Sequence, residues 1–260
     1  MSVPISDNCL PRETFISYSS EGKILLSENL INLLVNAREM YDWPFGTGAA
    51  KSQQTIIDLE VKIKNLIENL TQINAKTIVS LVSKWGGNNA NSQNLIDNAK
   101  LNVQDALVRC IKGLSNSSDP YNSVDRLSNQ PGLRLVMASK IYRFCCPNEG
   151  ASLDRHSSYF FNSLPLFRAP NGAGYSTNFK REWSTSSHTT SRLAIYQSFS
   201  HSYNLREYFK AYLPLLAQIA DYLNKNQVTY LCAATKKYKY WRPTDIEMAA
   251  YFWWARNGSR

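Results

Sequence analysis

The sequence predicts a mainly α-helical protein. Apolar residues recur at spacings of three and four along most of the chain, and glycine or proline stands at the ends of those stretches. Few stretches alternate apolar with polar residues as strands do. Leu25, Leu26, Leu30, Leu33, Leu34 and Ala37 form a first helical stripe that ends near Trp43-Pro44. Ile56, Ile57, Leu59, Ile63, Leu66, Ile67 and Leu70 predict a second helix over about 52–71. Ile78, Leu81, Val82 and Trp85 give a third, stopped by Gly86-Gly87. A fourth carries Leu95, Ile96, Ala99, Leu101, Val103, Ala106, Leu107, Cys110 and Ile111 and is closed by Gly113. Residues 115–131 are rich in Ser, Asn, Asp and Pro and are expected to form a loop. After Pro131-Gly132 a helix buries Leu135, Val136, Ala138, Ile141, Tyr142 and Phe144 and ends at Pro147. Another opens near Asp154 with Tyr159, Phe160 and Leu164. The polar stretch 165–192 reads as a long excursion of the kind that often serves function. Tyr208, Tyr212, Leu215, Leu216, Ile219, Tyr222 and Leu223 mark one more helix. The last opens at Thr244, with Glu247 three residues on as a capping box. One mainly helical domain over 1–260 is expected, divisible near the loop into lobes 1–115 and 116–260.

At 260 residues and 43% hydrophobic, the chain can bury a proper core. Its net charge of +9 and pI near 9.3 suit an anionic partner such as nucleic acid, or serve solubility. Residues 1–20 lack the basic start and apolar core of a signal peptide, and no stretch is long enough for a membrane span. A cytoplasmic protein without a membrane partner is expected. The five cysteines are odd in number and not spaced as a disulfide framework, which suits reduced thiols. Adjacent Cys145-Cys146 is not a metal-binding pair, and three histidines are too few for a histidine-rich centre. No metal or organic cofactor is expected. Gly46-Thr47-Gly48-Ala49-Ala50-Lys51-Ser52 is similar to a phosphate-binding loop, but it lacks the glycine before the lysine and follows no strand, so ATP binding is rejected.

Five features carry chemistry. The Pro131-Gly132 turn, with Arg134 beside it, can aim backbone N–H groups at a phosphate, or can be an ordinary turn. Lys140 lies on an otherwise apolar helix; it is either a snorkelling lysine or a desolvated amine able to attack a sugar carbon. Asp154 stands where an N-cap is expected, a role compatible with that of a carboxylate that activates a nucleophile or stabilises a positive sugar. Lys236-Lys237-Tyr238-Lys239-Tyr240-Trp241-Arg242 interleaves cations with rings, as nucleic-acid surfaces do and as some solvated edges do. Tyr41, Trp43 and Phe45 can stack on an extruded base or plug a helix end.

From Pro131 to His156 the chain resembles the helix-hairpin-helix DNA glycosylases, in particular bacterial proteins with an oxoguanine-glycosylase fold. Gln130-Pro131-Gly132-Leu133 is similar to the hairpin, Ala138-Ser139-Lys140-Ile141-Tyr142-Arg143-Phe144 to the lysine-bearing helix, and Leu153-Asp154-Arg155 to the catalytic-aspartate turn. Pro243 to Phe252 is similar to the closing helix. The resemblance implies a mainly α, helix-hairpin-helix glycosylase-like domain that needs no cofactor. It implies a monomer that flips and excises a damaged or modified base from double-stranded DNA, in repair or, from the family's bacterial setting, in phage defence. Asp154 would stabilise the sugar cation, and Lys140 would supply a Schiff-base lyase step. Pro131, Gly132, Arg134, Arg155, Lys236, Lys237, Lys239 and Arg242 would contact DNA, and Tyr41, Trp43 and Phe45 would line the base pocket. Lys140 departs from the family pattern: it lies eight residues after Gly132 and only fourteen before Asp154, so Asp154 transfers more directly. A non-catalytic DNA-binding protein of the same fold and a structural or protein-interaction module are the alternatives.

Overall fold

The structure, a computed structural model, describes residues 10, 13–87, 101–130, 133–164 and 201–258. It is mainly helical, as predicted, with four short strands among the described residues. In chain order these are β1 (Ile16–Tyr18), β2 (Ile24–Leu26), α1 (Glu28–Glu39), α2 (Ala49–Glu68), α3 (Gln72–Trp85), α4 (Leu101–Ser115), α5 (Pro120–Ser128), α6 (Leu135–Cys145), α7 (Arg155–Ser163), α8 (His201–Glu207), a π-helical turn (Tyr208–Tyr212), α9 (Leu213–Lys225), β3 (Tyr230–Cys232), β4 (Lys237–Lys239) and α10 (Pro243–Asn257). Two compact units divide the chain: one takes Met1–Gln53, Asp154–Phe199 and Pro214–Arg260, the other Gln54–Leu153 and Ser200–Leu213. The expectations for 165–192, for Pro131-Gly132 and for Leu95, Ile96 and Ala99 concern residues outside the described ones.

In the first unit, Leu25 and Leu26 belong to a strand and not to the first helix. β1 and β2 pair antiparallel, Ile16 with Leu26 and Tyr18 with Ile24, all four buried. Leu25 points the other way and is exposed. The cause is Ser27, whose extended backbone and side chain, accepting from the Leu30 amide at 3.2 Å, start α1 only at Glu28. α1 then buries Leu30, Leu33, Leu34 and Ala37 and packs on α10. α10 also packs on α7, and between these two neighbours it buries residues nearly all round. Its start differs from the expected box. Pro243, with its fixed φ and no N–H, takes the first helical position, and Asp245 rather than Glu247 accepts from the capping Arg242 amide, at 3.1 Å.

Asp245 anchors more than a cap. Its Oδ1 accepts from Arg38 Nε at 3.1 Å and Nη2 at 2.9 Å and from the Tyr230 hydroxyl at 3.0 Å, and its Oδ2 accepts from Arg242 Nε at 2.9 Å. Burial alone would raise the Asp245 carboxyl, but the charges of Arg242 and Arg38 and their hydrogen bonds outweigh it and hold the group well below the carboxylate range. One buried carboxylate thus ties α1, the β3 strand and α10 together.

In the second unit, α3 buries Ala75, Ile78, Val79 and Val82, and ends at Gly86 as predicted. α3 and α4 pack on each other and on α6, and α5 packs on α4 and α6. Two expectations fail here. α4 runs through Gly113 to Ser115, because Gly113 serves close packing: a Cβ there would collide with the Ser123 hydroxyl of α5. Residues 115–131, expected as a loop, contain α5. Pro120 starts it, and its inner face is Ser123, Val124, Leu127 and Ser128. Two buried serines in a short helix leave too few apolar positions for a periodic signal. Later, the π-helical turn precedes Pro214, which has no N–H to give to a regular turn. Tyr208 and Tyr212 donate from it to the Ala151 and Ser152 carbonyls at 2.6 and 3.0 Å.

Gly150 closes the turn after α6, its amide donating to the Cys146 carbonyl at 2.8 Å. A Cβ there would sit 2.8 Å from the Tyr142 carbonyl oxygen and 2.9 Å from the Arg143 nitrogen, both backbone atoms that cannot swing aside. Gly150→Ala is therefore expected to destabilise the fold by about 1–3 kcal/mol, as overpacking does. Urea unfolding checks this; an unchanged midpoint would show that the turn opens freely.

Candidate active site

Asp154 is the N-cap of α7, as the sequence predicts. Its backbone is extended, and Oδ1 accepts the His156 amide at 2.9 Å. Its carbonyl is fixed too, accepting from the Ser157 and Ser158 hydroxyls at 3.0 and 2.6 Å. The residue is half-buried, and Oδ2 accepts no hydrogen bond among the described residues. Asp154 therefore presents a positioned carboxylate with one oxygen uncommitted among the described residues.

Around it the first unit gathers rings. His156 meets Tyr251 of α10 edge-on, centroids 5.3 Å apart. Tyr251 meets Trp43 edge-on at 5.6 Å and lies near-parallel to Phe45 at 6.4 Å, and Trp43 and Phe45 meet edge-on at 5.5 Å. Burial pushes the Tyr251 hydroxyl far above its ordinary value, and the negative charges of Asp154 and Glu247 add to this against Arg155. Burial pushes the His156 imidazole below its ordinary value, Asp154 opposing and Arg155 assisting. His156 Nδ1 is buried with no hydrogen-bond partner among the described residues. Burial thus favours the neutral forms of the His156 imidazole and the Tyr251 phenol that stand with Asp154. His156 and Tyr251 were missed by sequence reasoning. His156 lies two residues from Asp154, but nothing in one sequence brings Tyr251 to it.

The loop bearing Trp43 and Phe45 is held by Asp42, which accepts from the Gly46 and Gly48 amides at 2.9 and 2.8 Å and from the Thr47 and Ser52 hydroxyls at 2.9 and 3.0 Å. Both glycines have positive φ, +91° and +85°, which lets their N–H groups converge at the start of α2. Burial would raise the Asp42 carboxyl, but these hydrogen bonds hold it below its ordinary value. This gives a physical reason for rejecting ATP: the glycine-lined anion nest already holds the chain's own carboxylate. Trp43-Pro44 is a cis peptide. Phe45 is 42% exposed, whereas Tyr41 is 2% exposed and packs into the core against Phe252.

The remaining predicted site residues fall as follows. Lys140 belongs to the second unit, where it is half-buried; its amine donates to the Gly86 carbonyl at 3.5 Å, at the C-terminal end of α3, and lies 5.8 Å from the Trp85 ring centre. Arg134 is exposed at the N-cap of α6. Arg155 is exposed, with Nε 3.4 Å from His156 Nε2. Lys236, Lys237 and Lys239 are exposed on the β3–β4 hairpin. Arg242 instead turns inward to Asp245. Among the described residues no cluster of His, Cys, Asp and Glu could hold a metal ion, and no helix is long and apolar enough to cross a membrane. Compared with family models, curated proteins and solved structures, the chain matches none.

Proposed function

We propose that the protein is a DNA N-glycosylase whose essential group is Asp154. The observation that carries this reading is the Asp154 carboxylate, fixed by its helix through Oδ1 and grouped with His156 and Tyr251, which belong to the ring cluster of Trp43 and Phe45. An extruded base stacks on such rings, while the carboxylate faces the sugar. In the reaction the C1′–N bond breaks and its electron pair leaves with the base. Asp154 stabilises the positive sugar and takes a proton from the water whose oxygen bonds to C1′. That α5 and α6 flank Pro131-Gly132 on either side fits the resemblance to helix-hairpin-helix proteins. The net charge of +9 suits a polyanionic substrate. The test is base release from duplex oligonucleotides that carry a panel of oxidised, alkylated, deaminated or otherwise modified bases. No release from any member, with binding retained, would leave a non-catalytic DNA-binding protein.

Lys140 decides whether the strand is also cut. Its amine rests at the end of α3, where a cation favours the helix dipole. We therefore read the reaction as hydrolysis without a lysine adduct. Lys140→Ala is expected to keep base release within about threefold, an effect of under 1 kcal/mol, and wild type to give no borohydride-trapped DNA adduct. A trapped adduct lost in Lys140→Ala would restore the lyase.

A further inference from the structure

The β3–β4 hairpin has a design that the excision chemistry does not use. Its base is fixed to the first unit at each strand. The Leu231 amide donates to Glu39 Oε1 at 2.8 Å, the Ala233 amide to Gln53 Oε1 at 2.8 Å, and the Tyr230 hydroxyl to Asp245 at 3.0 Å. On the return, the buried Trp241 exchanges two hydrogen bonds with the Asn224 side chain, at 2.8 and 2.9 Å. Between these anchors Lys236, in the left-handed region at φ 54°, closes the turn with its amide on the Cys232 carbonyl. All of Lys236, Lys237, Tyr238, Lys239 and Tyr240 are then exposed. Tyr238 and Tyr240 are 72% and 69% exposed, on a chain that buries Tyr208, Tyr212 and Tyr230 almost completely. Two tyrosines thus stand in water among three lysines on a hairpin whose base is hydrogen-bonded to its surroundings.

The spacing selects the partner. Tyr238 lies in β4 and Tyr240 one residue past its end; where the chain is extended, residues two apart stand about 6.6 Å apart. Bases stacked in a duplex rise only about 3.4 Å per step along each strand. Neighbouring bases of an intact stack therefore cannot each take a ring, whereas those of an unstacked strand can. Lys237 and Lys239 alternate with the rings along the chain and are exposed like them.

We propose that this hairpin binds an unpaired segment of nucleic acid, with Tyr238 and Tyr240 each stacking on one base and Lys236, Lys237 and Lys239 neutralising phosphates. The surface stands whether or not Asp154 cuts a glycosidic bond, so its test is separate. Fluorescence anisotropy would compare the full chain on labelled single-stranded and blunt duplex oligonucleotides of one sequence, over a salt series. Tighter binding of the single strand is expected. Tyr238→Ala and Tyr240→Ala should each weaken that binding about tenfold, with little effect on duplex. Tyr238→Phe and Tyr240→Phe should stay near wild type, because the ring and not the hydroxyl stacks. Replacing all three lysines with alanine should reduce the salt slope on single strands by about two. Asp154→Asn should bind the single strand as wild type does, even where base release is lost. Equal loss of single-strand and duplex binding in the tyrosine variants would overturn the proposal. So would tyrosine-dependent binding to vesicles of anionic lipid with none to oligonucleotides.

Discussion

Asp154→Asn is expected to lower single-turnover base release by about a hundred- to a thousandfold, the range found when one group that stabilises a developing charge is removed. Asparagine also caps helices well, so the His156 amide keeps an acceptor and the melting temperature should barely move. That separation gives the substitution its meaning. A loss of activity with an unchanged melting curve assigns the carboxylate to chemistry, and full activity would make Asp154 a helix cap alone. DNA affinity should be retained, because the substitution adds no negative charge to oppose phosphates. His156 offers an internal control. Burial depresses its imidazole, so any inflection it gives to base release should fall below the ordinary histidine range.

The largest effect on stability is expected at Asp245. Asp245→Ala leaves Arg38, itself 4% exposed, without its carboxylate partner, and removes one acceptor of the Tyr230 hydroxyl. Breaking one side of a buried ion pair costs about 3–5 kcal/mol, against a total stability of roughly 5–15 kcal/mol for a folded domain. Chemical denaturation reads this directly. Arg38→Met combined with Asp245→Leu should recover much of the loss, since an apolar pair needs no counter-charge; failure to recover would mean that the network fixes geometry that packing cannot replace. The same carboxyl predicts a pH dependence. Its pKa is lowered in the folded protein, so its contribution is fully present above the unfolded value near about 4 and is lost progressively as pH falls below it. Wild type should lose stability over that acid range, and Asp245→Asn should show a flatter profile.

Much of the helical framework was legible in the sequence. The stripe through Ile78 and Val82, the stop at Gly86, the helix from Leu135 and the cap at Asp154 all follow from apolar spacing and end chemistry, which act within a few residues. What escaped had short or polar signals. The β1–β2 hairpin is too brief to show alternation, and α5 hides its inner face in Ser123 and Ser128. Arg242 looked like a surface cation because its run is basic; Asp245, three residues later, draws it inward.

The sequence by itself determined that the chain is helical and basic, and it put Asp154 at the start of a helix. It also marked the lysines and tyrosines of 236–240 as one group. Only the tertiary structure decided their surroundings: that Asp42 fills the glycine nest, that Tyr251 comes to His156, that Tyr238 and Tyr240 face water, and that Asp245 meets Arg38, 207 positions away. Caps and periodicity are local and leave a mark on neighbouring residues. A buried carboxylate meets its distant partners only because desolvation makes any other arrangement of those charges too costly, and that condition exists nowhere in the chain until it has folded.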